Sequence, residues 1–214
     1  TETEDMSPRI TKAFNRSKAM ILKSRGGDSV FSIFLGVDEP LESFGEIANG
    51  HFFYTPSKIG LGETSGQELD HLLKNFKHIE KKQILAWLDK WTRYNTYEIS
   101  VPGLKDPELA PPSKTGLIIS FLAEYDLFRL IQDAGWLDEF ISELEDRVLR
   151  VISESVYPML KDKIILRFSY SPLSIEKRVG SSEGAITGWS FQKNMPVVNR
   201  IQYSDRSVRT PLPS

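Results

Sequence analysis

"TYEISVPGLKDPELAPPSKTGLIISFLAEY", running from Thr96 to Tyr125, decides how the chain is folded. Its opening residues alternate: Tyr97, Ile99 and Val101 fall on one side, Thr96, Glu98 and Ser100 on the other. That is the period of a strand with one face in a core. A proline-rich connection follows, and "LIISFLAEY" reads as the next strand. Strands that come in pairs with long loops between them indicate an α+β protein rather than alternating βαβ units.

The flanking segments fit the same class. "SVFSIFLGV" (29–37) is nearly all apolar and predicts a strand buried on both faces, and "HFFYTP" (51–56) predicts another, stopped by Pro56. Between residues 66 and 94 the period changes. Leu69, Leu72, Leu73 and Phe76 make one helical stripe, and Ile84, Leu85, Leu88 and Trp91 make a second. A short helix over 127–132 ends at Gly135, and the longest helix is expected from Trp136 to Val156. Its apolar positions Phe140, Leu144, Val148 and Ile152 repeat every four residues; Glu143, Glu145 and Asp146 read as solvating charge on its polar side. Pro158 stops it, and "KIILRFSYS" follows as a strand. The expected fold is α+β: a mixed, largely antiparallel sheet with helices packed on one face.

Composition removes several functions. A chain of 214 residues can bury a substantial core. A formal charge of −2 gives no basic footprint for nucleic acid, and the absence of cysteine excludes a disulfide scaffold, a thiolate metal site and a cysteine nucleophile. The sequence contains no apolar run of membrane-spanning length, and the polar N-terminus does not read as a secretory signal, so a cytoplasmic location is expected. Residues 8–22 predict a basic amphipathic helix with Arg9, Lys12, Arg16, Lys18 and Lys23. It reads either as a solvated surface helix or as a peripheral contact with a membrane.

No self-sufficient catalytic constellation is present in the sequence. Gly180-Ser181-Ser182-Glu183-Gly184 matches G-x-S-x-G, but no helical period follows it and all three histidines, His51, His71 and His78, lie upstream. "IGLGETSG" supplies only Gly60 and Gly62 of a dinucleotide fingerprint, with Ser65 where the third glycine belongs. His71 and His78 share a helical face with no third ligand, so no metal is expected.

The specific stretches are "VFSIFLGVD", "HFFYTPSKIGLG", the Thr96–Ser120 segment with Asp106-Pro107-Glu108-Leu109-Ala110-Pro111, "YPMLKDKIILRFSYSPLSIEKRVGSSEGAITGWSF", and "SVRTPLPS", in that order. Together they resemble the middle of the phytoene desaturase-like flavoprotein oxidoreductases, relatives of the amine oxidases. The G-x-G-x-x-G segment with which that family holds FAD has no counterpart here. The resemblance therefore implies a substrate-binding domain for an apolar polyene or isoprenoid, inactive alone. FAD would be held by a missing flavin domain of the same polypeptide, and none is expected to bind this chain alone. It also implies an exposed apolar patch where that domain would dock, through which the isolated chain could dimerise. The expected division is a polar N-terminus and basic helix over 1–28 and a substrate-binding domain over 29–198 with a helical insertion at 66–94. A segment over 199–214 would lead back to the flavin domain.

Within that resemblance, Gly180, Ser181, Gly184, Ala185, Gly188 and Trp189 are the residues expected near substrate or flavin, because glycines let a backbone approach a ligand closely. The competing reading is a tight turn that only returns the chain. The helical pair at 66–94 reads as a cap over the substrate cavity or as a protein contact. A free-standing apolar-ligand carrier and a protein-interaction module remain as the alternative functions.

Overall fold

The computed structural model describes residues 7–59 and 66–190. They fall into two compact units, one formed by the described parts of Thr1–Ser29 and Ile175–Ser214, the other by those of Val30–Ser174. The G-x-G at Gly60 and Gly62 and the "SVRTPLPS" segment lie outside the described residues.

The larger unit is built on a five-stranded sheet. Its strands are β1 (Ser29–Val37), β2 (His51–Tyr54), β3 (Tyr97–Ser100), β4 (Thr115–Ala123) and β5 (Ile164–Tyr170), in the order β2-β3-β4-β1-β5. The ladders β1–β5, β2–β3 and β3–β4 are antiparallel. Side-chain contacts give the remaining pair the same sense: Ser32 meets Ser120 at 2.8 Å, while Asp38, six residues on, meets Lys114, six residues back, at 2.6 Å. This is the expected α+β class, and the Thr96–Tyr125 stretch forms β3 and β4 at its centre.

Helices cover one face of the sheet. The helices of this unit are α2 (Leu41–Gly45), α3 (Gly66–Asn75), α4 (Lys81–Tyr94), α5 (Tyr125–Asp133) and α6 (Leu137–Ser155); α1 (Pro8–Ile21) precedes the sheet and α7 (Pro172–Val179) follows it. Local chemistry sets their ends. Glu80 and Gln83 form a reciprocal capping box at the start of α4. Gly135, at φ +81°, closes α5 in the left-handed conformation that glycine adopts without steric cost. A chain of rings then joins the layers: Phe31 of β1 lies 5.7 Å from Phe128 of α5, which lies 5.4 Å from Phe140 of α6. Trp91 of α4 meets Phe121 of β4 edge-on at 5.4 Å. Aromatic pairs in such offset and edge-on arrangements add to the area they bury.

Two expectations are corrected here. β1 is not buried on both faces: Phe31, Ile33, Leu35 and Val37 are buried, while Val30, Ser32, Phe34 and Gly36 are only half-buried. The helices cover one side of an antiparallel sheet, so a wholly apolar strand need not be enclosed on both. Nor is Glu145 a solvating charge. It is buried, and Arg167 of β5 reaches it through Nε at 3.0 Å while pairing with Asp146 through Nη1 at 2.6 Å. These pairs tie α6 to the edge strand. Glu143 is likewise paired, with Arg147 one turn on.

Candidate functional site

The uncovered face of the sheet is the first feature a ligand could use. Register places its side chains in two rows across the strands. One row runs Phe53, Glu98, Ser120, Ser32, Tyr170; the next runs His51, Ser100, Ile118, Phe34, Phe168. Gly36 pairs with Leu166 one step further along. The β1–β5 side of this face is aromatic: Phe34 stacks on Phe168 with centroids 5.0 Å apart, and Tyr170 stands edge-on to both. Phe53 is 70% exposed, Leu122 and Leu166 56% each, and Phe168 42%. Large apolar side chains left in contact with water over adjoining strands mark a surface that something covers. The opposite corner is polar, with His51 Nε2 3.0 Å from a Glu98 carboxylate oxygen.

The helical pair at 66–94 does not roof this face. Ile84 and Leu88 of α4 are buried in the core on the opposite side, and Leu72 of α3 is buried too. A cleft of about 490 Å³ lies between Tyr54 and the outer surfaces of α4 and α6, lined by Asp89, Arg93, Arg147, Arg150 and Glu154. Its charges answer one another, Arg93 donating to Asp89 at 2.7 Å, and Tyr54, Pro56 and Val151 supply its apolar part.

The second feature is the glycine-rich loop, in the smaller unit. Gly180, Gly184 and Gly188 all have positive φ, as does Glu183. The loop is stitched to Arg25–Ser29. Gly27 N–H donates to the Gly188 carbonyl at 2.7 Å, Ile186 N–H to Asp28 at 2.9 Å, and Ser190 N–H to Arg25 at 3.0 Å. Side chains add to these. Asp28 N–H donates to Thr187 Oγ1, Ser29 Oγ donates to the buried Gly184 carbonyl at 2.7 Å, and Arg25 Nε reaches both Glu183 oxygens. The partner segment needs its glycines for space. A Cβ on Gly26 would lie 2.2 Å from the Ser182 carbonyl oxygen, and one on Gly27 would lie 2.5 Å from Thr187 Oγ1. At Gly180 and Gly188 a Cβ would meet nothing within 4 Å, so backbone conformation, not crowding, sets the requirement there.

The six expected site residues are thus gathered in one loop, and its geometry is that of a clasp within the chain. Trp189 pairs with Gly26 in an isolated bridge, Ala185 lies against the position of a Gly26 Cβ at 2.9 Å, and Ser181 Oγ is buried without a hydrogen-bond partner. Sequence reading missed Gly26 and Gly27, taking "RGGDS" only as the end of a helix. The consecutive glycines were the available signal. The G-x-S-x-G match is no nucleophile elbow: helix α7 precedes it, and its last three residues, Ser182–Gly184, form a single 3-10 turn. Among the described residues no group of three metal-binding side chains converges.

No protein-family model matches the chain. It is 25% identical over 175 residues to all-trans-retinol 13,14-reductase of Danio rerio, an alignment covering 76% of this chain and 25% of that protein. The chain is a distant relative of an oxidoreductase. It spans about a quarter of the length of the curated relative it matches. No described helix is long and apolar enough to cross a membrane.

Proposed function

We propose that this chain is the substrate-binding domain of an FAD-dependent oxidoreductase of the phytoene desaturase-like kind, and that the open sheet face is the wall along which an apolar polyene or isoprenoid lies. The observation that carries this reading is the exposed aromatic shelf of Phe34, Phe168 and Tyr170, continued by Leu166 and Leu122. A conjugated chain is flat, long and apolar, and a stacked aromatic shelf on a rigid sheet offers it contact area with little ordering of side chains. The distant oxidoreductase relation and the family resemblance agree with that substrate class.

The flavin itself does not fit the described residues. The close backbone approaches at Gly26 and Gly27 are filled by the chain's own Ser182, Thr187 and Trp189 atoms, and among the described residues no strand, glycine turn and helix follow one another as a pyrophosphate cradle requires. FAD is therefore assigned to residues outside the described ones, and the domain's own part is to bind and orient the polyene. Alone it performs no redox step.

A titration with all-trans-retinol and, separately, with FAD tests this. Retinol emission is expected to rise on addition of the chain, and the rise is expected to vanish in Phe34→Asp and Phe168→Asp; FAD fluorescence is expected to stay unchanged. Stoichiometric flavin binding, or retinol binding indifferent to both substitutions, overturns the proposal.

A further inference from the structure

The open sheet face changes character from one edge to the other. The row Phe168, Phe34, Ile118, Ser100, His51 crosses the five strands in sheet order, from β5 to β2. Its first three side chains are apolar and its last two are polar. Glu98, diagonal to His51 across the β2–β3 ladder, adds a carboxylate at the polar end. Four strand spacings of about 4.8 Å separate the two ends, about 19 Å in all. A ligand stretched along this row meets rings at one end and hydrogen-bonding groups at the other.

The polar end is rich in acceptors. His51 Nε2 lies 3.0 Å from Glu98 Oε1, a contact that requires the ring proton on Nε2. In the neutral imidazole Nδ1 is then an acceptor, and the second carboxylate oxygen of Glu98 is another. Among the described residues neither side chain has a further polar partner. Both stand open to the face, His51 39% exposed and Glu98 45%. A group that answers the pair must therefore donate a proton. An ether oxygen cannot, and a carboxylate would bring a second negative charge beside Glu98. Ser100, directly opposite His51, can donate or accept and so discriminates little.

We infer that the open face selects a polyene that ends in a hydroxyl. The hydroxyl donates to the Glu98–His51 pair, and the apolar chain lies over Ile118, Phe34 and Phe168. The pair is a positioning element: it fixes which end of the polyene lies over β2, and with it the place of each double bond along the sheet. This inference rests on the reading of the open face as the substrate wall, and adds to it the end group and the direction of the ligand.

The test compares all-trans-retinol with its methyl ether, which has lost only the donor, and with all-trans-retinoate. Affinities are measured by fluorescence titration and competition at about pH 8, where an ordinary imidazole is neutral. The ether is expected to bind about ten-fold more weakly than the alcohol, the size of one charge-assisted hydrogen bond half in water, and the retinoate more weakly again. In His51→Ala with Glu98→Ala, alcohol and ether are expected to bind alike, and retinoate to recover to their level. Neither side chain is buried, and thermal unfolding checks that the variant keeps its fold. Phe168→Asp is expected to weaken alcohol and ether together, which separates the apolar end from the polar one. Equal binding of alcohol and ether by the unaltered chain overturns the inference and leaves the substrate wall standing. So does a preference for the alcohol that survives the double variant. Failure of all three ligands to bind overturns the substrate wall, and this inference with it.

Discussion

Arg25 donates through Nε to both carboxylate oxygens of Glu183, each at 2.9 Å, across 158 residues of sequence. The pair closes a clasp in which the RGGD turn and the glycine-rich loop share backbone hydrogen bonds, so the smaller unit depends on two distant pieces of chain finding one another.

Gly26→Ala is the sharpest test of that clasp. Its Cβ would sit 2.2 Å from a backbone carbonyl, which cannot swing away as a side-chain tip can. A local cost of about 2–3 kcal/mol is expected, seen as faster amide exchange over 182–190. Gly116→Ala is the control: a Cβ there meets nothing within 4 Å, and stability is expected to hold or rise by about 0.5 kcal/mol.

Two buried tyrosines are expected to respond oppositely to loss of the hydroxyl. Tyr97 Oη donates to the Thr92 carbonyl at 2.5 Å, whereas Tyr157 Oη is buried without a partner. Tyr97→Phe should lower stability by about 1 kcal/mol; Tyr157→Phe should leave it unchanged or raise it, because an unsatisfied buried hydroxyl is removed. Denaturant unfolding of both variants separates the two cases.

The same Tyr157 contributes an alkaline limit. Burial pushes its hydroxyl from 10.0 up to about 12. The unfolded chain therefore releases this proton first, so the contribution is intact below about pH 10 and is lost as pH rises toward 12. In Tyr157→Phe the fall of stability over that window should be shallower, which a pH series of melting curves would show.

Arg167 and Glu145 are expected to behave as a coupled pair. Glu145→Ala leaves a half-exposed arginine still bonded to Asp146, whereas Arg167→Ala strands a buried carboxylate. The second should cost more, about 2 kcal/mol, and the double variant less than the sum. A double-mutant cycle measures this directly.

Phe168→Lys tests the open face without touching the core. Phe168 points away from the helical layer, so stability should change by less than about 0.5 kcal/mol while retinol binding falls at least ten-fold. Equal losses of both would place Phe168 in the core.

Strands and long helices were legible because their signals are local: β1 spans 29–37, and α6 fills the interval expected from Trp136 to Val156. What sequence could not assign was the side of β1. Both parities of "SVFSIFLGV" hold apolar residues, so a period of two does not reveal which one faces helices. Helix α2 was missed because five residues carry too little period to register. At the loop, the reason "RGGDS" needs its glycines lies about 160 residues away, where no local pattern reaches. Likewise Glu145 sits in a run of acids that looks solvated until β5 brings Arg167 against it.

The ladder between β1 and β5 also settles where the larger unit begins and ends. Ser32 lies opposite Tyr170, so the chain enters the sheet of this unit and leaves it on adjacent, paired strands, with Ser174 only four residues beyond Tyr170. A unit whose two ends meet can be spliced into a loop of a host protein without prising the host apart, because the gap it must span is a single inter-strand spacing of about 5 Å. By the same token, it could be lifted out and the flanks rejoined by a short linker.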